Sequence, residues 1–477
     1  MSTARVTFLG GRAGALLPLL TFLAGVAWLG LSGAPDERGF WPVLVLALAV
    51  GTLLARDREA YGSAVLGGMA RPLVMVMVLA WLLAGVLGSL INASGFVEAL
   101  AGLAADAHVR GGRFALAAFL IAAAVSTATG TSLGTLLVCA PLLHPTGVGL
   151  GADPAVLIGA LLGGATFGDN VSPLSDTTIA SATTQGAEIG AVVRSRLRYA
   201  LPAAAVAGLG FLLTGTDAIA TGAGPAAASA TRLPLWAGLG PGLVVVLLLR
   251  GRTLLEGLLA GCAATALLGL GLGLITPADL LSIDHDAFLA RGLVLSGMER
   301  ATGIVIFTLL LMGLIGGVES SGLLDNLVAW TRKRATTAAR AEWAIFAAVS
   351  GAVLLTTHSV VAILSTGPLA REVGAERGLP ATRRANVLDI TVCTYPFLLP
   401  FFIPTILASS LTGGGAAAAR VAPLAAGLHN LHSWALLAVL LFALATGWAR
   451  SEDGSPERAD GTGLGSPGGG ADEGTAV

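Results

Sequence analysis

The sequence predicts an all-α polytopic membrane protein built from two inverted-topology repeats, each with a re-entrant or broken helical hairpin. Three observations carry this reading. First, 55% of the 477 residues are hydrophobic and only 12% are charged, with a mean hydropathy of +0.83, whereas soluble domains carry about twice that charged fraction. Second, the chain matches itself at a single offset. Adding 227 carries Ser94 and Gly95 onto Ser321 and Gly322, Thr129 onto Thr356, Ser132 onto Ser359, Pro141 onto Pro368, Pro173 onto Pro400 and Thr178 onto Thr405, without a gap. Third, the arginines gather at segment ends in a pattern that orients the two copies.

Taken in chain order, residues 1–70 hold the charge-free runs 13–32 and 40–55 and read as N-terminal transmembrane helices, a span needing about 20 apolar residues. The first run lacks a small-x-small cleavage site before Pro35 and leads into further spans, so it reads as a retained helix and not a signal peptide. Residues 71–198 form the first inverted repeat, with runs 72–91 and 114–143 and a broken-helix site beyond them. Residues 199–297 are connecting transmembrane helices, with runs 199–215, 233–249 and 257–277. Residues 298–410 form the second inverted repeat, with runs 301–318, 343–370 and 390–419, and 411–450 hold a C-terminal transmembrane helix. The repeat match proper covers 71–182 and 298–409. Residues 451–477 are rich in Gly, Ser, Asp, Glu and Pro, cannot bury a core, and are expected to form a disordered tail.

Cytoplasmic loops carry the excess of Lys and Arg. Arg56, Arg58 and Arg71 put the start of the first repeat inside, and Arg194, Arg196 and Arg198 put its far end inside as well. Three connecting spans then start the second repeat outside, near Asp279, Asp284 and Asp286. The odd number inverts the repeats. The loop at 144–153 has no Lys or Arg, whereas its mate at 371–384 has Arg371, Arg377, Arg383 and Arg384. Arg110 and Arg113, in an outside connector, run against the pattern. The expected location is the cytoplasmic (cell) membrane, multi-pass, with both termini in the cytoplasm.

On these loop assignments the runs 114–143 and 343–370 leave from and return to one side, so each is a hairpin. About 30 residues at 1.5 Å each are too few for two full spans, which predicts a re-entrant or tilted pair broken near its middle. The middles are STATGTS at 126–132 and TTHS at 356–359. Hydroxyls and glycine suit a helix break, where freed backbone groups need local partners.

The polar constellation lies in GDNVSPLSDTT, where seven of the residues 169–178 are polar in an otherwise apolar chain. A helix from Pro154 places Asp169 about 10 Å into the membrane, where a carboxylate costs on the order of 3 kcal/mol without partners. Pro173 removes a donor and disfavours helix at Ser172. Carboxylates, hydroxyls and freed carbonyls are hard oxygen ligands suited to Na+, and a carboxylate can take a proton instead. The candidate cation and proton residues are Asp169, Asn170, Ser172, Ser175, Asp176 and Thr177; Thr129, Thr131 and Ser132 of the first hairpin; Thr356, His358 and Ser359 of the second; and Asp389. Asp169 and Asp176 are the expected Na+ ligands.

Other classes find little support. Net charge is −1, giving no sign of nucleic-acid binding. Cys139, Cys262 and Cys393 are far apart without metal-ligand spacing and read as core residues. No HExxH, GxSxG or GxxxxGK[ST] pattern marks a hydrolase or a nucleotide-driven pump, so neither an enzyme nor a resident cofactor is expected.

GATFGDNVSPLSDTTIAS, at 164–181, resembles the signature of the NhaC family of sodium/proton antiporters, within the wider ion transporter superfamily, and TGTSLGT at 129–135 resembles that family's Thr/Ser/Gly-rich hairpin segment. The likeness covers most of residues 71–410, and Asn170 stands where some members carry Lys or another residue. The resemblance implies a homodimeric carrier with a scaffold domain and a mobile transport domain. The expected function is secondary active exchange of Na+ for H+ by alternating access. The alternative is a Na+- or H+-coupled carrier of a small organic acid or amino acid, with the hydroxyl-rich hairpins holding the substrate carboxylate. The expected partners are membrane lipid, Na+, H+ and, on the alternative, a small organic anion.

Overall fold

The computed structural model describes residues 5–31, 37–107, 109–214, 233–284, 289–332, 336–412 and 420–450. The expected tail at 451–477 and Asp286 lie outside the described residues. Helices α1 (Arg12–Leu31), α2 (Phe40–Leu54) and α3 (Arg58–Met69) lead into α4 (Pro72–Ala93), α5 (Phe96–Asp106), α6 (Gly111–Thr129), α7 (Ser132–Gly149), α8 (Pro154–Val171) and α9 (Asp176–Gln185). Then follow α10 (Ile189–Thr214), α11 (Leu239–Leu249), α12 (Leu254–Gly271), the single turn α13 (Pro277–Leu280) and a small antiparallel pair, β1 (Ser282–Asp284) and β2 (Leu289–Arg291). The rest is α14 (Leu293–Ser320), α15 (Leu323–Arg332), α16 (Ala338–Thr356), α17 (Ser359–Glu376), α18 (Ala381–Val392), α19 (Ile403–Ser410), α20 (Pro423–Leu428) and α21 (Leu431–Thr446). Among the described residues nine segments are long and apolar enough to cross a membrane, so the chain is an all-α polytopic membrane protein.

The 227-residue offset reappears in the element bounds. Shifted by 227, α6 and α7 become 338–356 and 359–376, the bounds of α16 and α17, while the starts of α5, α8 and α9 become those of α15, α18 and α19. Local chemistry explains why the breaks recur. In each copy the first hairpin helix ends on a left-handed residue, Gly130 at φ 70° and Thr357 at φ 49°. A capping side chain then starts the second: Thr131 accepts from the Gly134 amide, and His358 accepts from the Val361 amide. Pro173 stops α8 at Ser172, and Pro396 and Pro400 stand in the longer gap between α18 and α19.

The repeat mates α4 and α14 lie antiparallel. Arg71, which precedes α4, pairs with Glu319 at the end of α14, while Gly85 lies against the Gly297 carbonyl near the α14 start. In the first repeat α8 is the buried centre. A methyl group at Gly164 or Gly168 would meet the backbone of α6 at 2.2 and 2.3 Å, so small residues let these two helices approach closely, as at membrane-helix interfaces.

Three expectations need correction. The hairpins are longer than the charge-free runs suggested: α6 and α7 have 19 and 18 residues, about 28 and 27 Å at 1.5 Å each, and both are long enough to span. The run stopped short because Arg113 sits on the first turn of α6 and His144, followed by Pro145, lies inside α7. The run 390–419 is not one span, since α18 ends at Val392 and α19 begins at Ile403. Finally, Arg196, Arg383 and Arg384 are not loop residues. They sit within α10 and α18 and are buried.

Candidate cation-binding site

The break after α8 turns the chain so that Asp169, on the last turn of α8, faces the start of α9. Asp169 is 6% exposed. Its carboxylate accepts from Ser132 Oγ of the hairpin tip at 2.8 Å and from Ser175 Oγ at 2.7 Å. Ser175 Oγ lies 3.0 Å from Thr177 Oγ1, and Thr177 Oγ1 donates to Asp389 Oδ1 at 3.2 Å. A row of hydroxyls therefore joins a carboxylate of the first repeat to one of the second. Asp389 also accepts from Ser181 Oγ at 3.1 Å and from Cys393 Sγ at 3.3 Å.

Asp389 is neutralised by Arg196, whose Nη1 lies 2.5 Å from Oδ2, both side chains being fully buried. Arg196 also donates to the Asn170 carbonyl, Thr178 Oγ1 and Asn386 Oδ1 at 2.7, 2.8 and 3.1 Å. A charge-assisted set of this kind satisfies a guanidinium away from water. Asp169 has no such partner: serine hydroxyls hold it, and it lines a cavity of about 330 Å³. Asp176, at the first position of α9, is exposed and lines the same cavity.

Both hairpin tips reach this cavity, through Thr131 and Ser132 on one side and Thr357, His358 and Ser359 on the other. The first residues of α7, α9, α12, α17 and α19 all lie on its wall. Five helix N-termini therefore bring their partial positive charge to one space. Thr357 is the counterpart of Gly130 and holds a conformation a β-branched residue rarely adopts. Its hydroxyl, in a residue 6% exposed, has no hydrogen-bond partner among the described residues.

The structure thus brings Asp169, Ser175, Thr177, Ser132 and Asp389 into one network, and places Asp176, Thr131, His358 and Ser359 on the cavity wall. Others of the expected residues stand apart. Thr129 and Thr356 donate to carbonyls of their own helices, Val125 and Ala352. Ser172 accepts from the Leu174 amide within the break. Asn170 is fully buried, and its side-chain amide has no partner among the described residues. Among the described residues no three His, Cys, Asp or Glu side chains gather as a metal site. Sequence reasoning missed Arg196, Ser181 and Thr357. Arg196 was hidden among arginines that mark a loop, whereas the offset that pairs Gly130 with position 357 could have found Thr357.

The molecule is an all-helical membrane protein in which repeated helix breaks bring the buried carboxylate of Asp169 and the exposed one of Asp176 to a shared cavity. Residues 17–216, a segment that contains 71–198, match the model of the Na+/H+ antiporter family. The chain is 29% identical over 184 residues to the malate-2H+/Na+-lactate antiporter of Bacillus subtilis, covering 38% of each chain. It is 36% identical over 102 residues to the Na+/H+ antiporter NhaC of Alkalihalophilus pseudofirmus, covering 21% of this chain and 22% of that one. An uncharacterized Na+/H+ antiporter of Haemophilus influenzae is 36% identical over 85 residues, 18% of each chain. The chain thus spans well under half the length of the curated relatives it matches.

Proposed function

We propose that the protein exchanges Na+ for H+ by alternating access, as a homodimer in the cell membrane with both termini in the cytoplasm, and that α4–α9 and α14–α19 are inverted repeats. The observation that carries this is the hydroxyl row. With both carboxylates ionised, Ser175 and Thr177 have two protons for the three contacts from Asp169 to Asp389. One further proton, on either carboxyl group, fills the row. Na+ at Asp169, within reach of the Ser132 and Ser175 oxygens, supplies the positive charge that the proton otherwise brings, with hard oxygen ligands suited to it. One site then holds a proton or Na+, and that competition is sufficient for exchange. The antiparallel setting of α4 and α14 supports the inversion, and the arginines that remain exposed support its orientation.

The test is flux in proteoliposomes with an internal pH dye and an imposed Na+ gradient. Asp169→Asn is expected to insert and elute normally yet lose Na+-driven proton movement. Near-normal exchange by that variant would remove Asp169 from the mechanism. Asp176→Asn should be milder, because Asp176 is exposed and outside the row.

A second reading rests on a separate observation. A cavity of about 330 Å³ falls in the range of small-molecule pockets, far larger than a bare cation needs. Its five helix N-termini and the Thr357 hydroxyl, without a partner among the described residues, suit a carboxylate. On this reading Na+ or H+ drives a small organic acid, the substrate class in the name of the Bacillus relative. Uptake of labelled L-lactate or L-malate into the same vesicles decides between the two.

A further inference from the structure

The main cavity meets α4 from Val76 to Trp81, near its Arg71 end. A second cavity, of about 20 Å³, shares Trp81 and Leu137 with the first and reaches Arg300 and Leu411. A third, of about 30 Å³, shares Gly85, Arg300 and Leu411 with the second and ends at Asn92 and Pro145. Each small cavity has room for about one or two waters. From Val76 to Asn92 the series follows α4 for about 24 Å, most of a hydrocarbon core of about 30 Å. Trp81 and Leu137, 2% and 1% exposed, form the partition between the wide half and the narrow half.

Among the described residues Arg300 is the one charged side chain on either narrow cavity, and it lines both. It makes no hydrogen bond or ion pair with a described residue. Arg420 stands near enough for the two positive charges to act on one another. A guanidinium keeps its charge under all working conditions, so this half of the path repels Na+ and attracts anions. A carboxylate matches its fork with two parallel hydrogen bonds.

We propose that Arg300, an exposed side chain on both narrow cavities, is a carboxylate-recognising residue on the narrow half of the transport path, engaged by an organic acid once the Trp81–Leu137 partition opens. The proposal rests on the organic-acid reading above. The test uses the full chain in proteoliposomes, with labelled L-malate and L-lactate as probes and half-saturation measured from each side. Arg300→Gln should raise half-saturation by about tenfold or more, the usual loss for a hydrogen bond to a charged group, and Arg300→Lys should recover part of it. An unchanged half-saturation in Arg300→Gln, with wild-type uptake intact, overturns the assignment of Arg300 alone. Wild-type vesicles that exchange Na+ for H+ but take up neither acid overturn the organic-acid reading and this proposal with it, leaving the exchange reading standing. The same guanidinium could hold a lipid phosphate, so the measurement is repeated in vesicles without phosphatidylglycerol. An Arg300→Gln effect confined to vesicles with that lipid assigns the residue to the membrane and overturns the proposal.

Discussion

Asp169 and Asp389 are both buried carboxylates, yet their partners give them different work. Asp389 is paired with a fully buried arginine, and removing one member of such a pair leaves an uncompensated charge that costs about 3–5 kcal/mol. Asp389→Asn is therefore expected to lower thermal stability sharply, whereas Asp169→Asn, whose partners are hydroxyls, is not. The double variant Arg196→Met/Asp389→Leu should regain folding without transport, and equal melting temperatures for Asp389→Asn and Asp169→Asn would contradict this division. Thr357 gives a second test at this scale. Left-handed backbone at a β-branched residue costs on the order of 1–3 kcal/mol, so Thr357→Gly should raise stability while impairing transport, and Thr357→Ser should keep transport. A Thr357→Gly variant with normal transport would make the hydroxyl dispensable. Asp169 was legible in the sequence because a carboxylate stood out in an apolar run. Arg196 was not, since its role depends on Asp389 and Asn386, which lie some 190 residues further along the chain.

At the scale of elements, the single offset read from prolines and hydroxyls foretold where helices start and stop, because those residues set the breaks: Pro173 ends α8, and Thr131 and His358 cap α7 and α17. Helix length was less legible, because a charge-free run ends at the first arginine whether or not the helix does. Arg383 and Arg384 show the same limit. Arg383 pairs with buried Glu342 at 2.9 Å and Arg384 donates to Gln185 at 3.0 Å, so they brace α18 and cannot be counted as cytoplasmic loop charge. The inversion therefore needs its own test. Gly149, the last residue of α7, and Gly378, two residues past the end of α17, lie in repeat-matched connections, both exposed, with open space where a side chain would project. Single cysteines there, in a background lacking Cys139, Cys262 and Cys393, should label from opposite sides of the membrane. Labelling from one side would overturn the inverted arrangement.

For the whole molecule, a site that holds either Na+ or a proton fixes how affinity depends on pH. The row from Asp169 to Asp389 has room for one added proton, and under the proposed exchange Na+ at Asp169 would remove the need for it. Below the acid constant of the Na+-free site the proton is bound and must leave before Na+ enters, so apparent Na+ affinity should fall about tenfold per pH unit as pH drops, by linkage. Well above that constant the site is already ionised and affinity should become independent of pH. The same linkage requires Na+ binding to release close to one proton in the acidic limb and none in the alkaline plateau. Titration calorimetry in two buffers of different ionisation enthalpy counts those protons directly, with Asp169→Asn as the variant expected to release none. If the wild type releases no proton at any pH across the titration, Na+ and H+ do not share this carboxylate. Na+ would then serve only to hold an organic substrate in the wide cavity, and the organic-acid reading would take precedence.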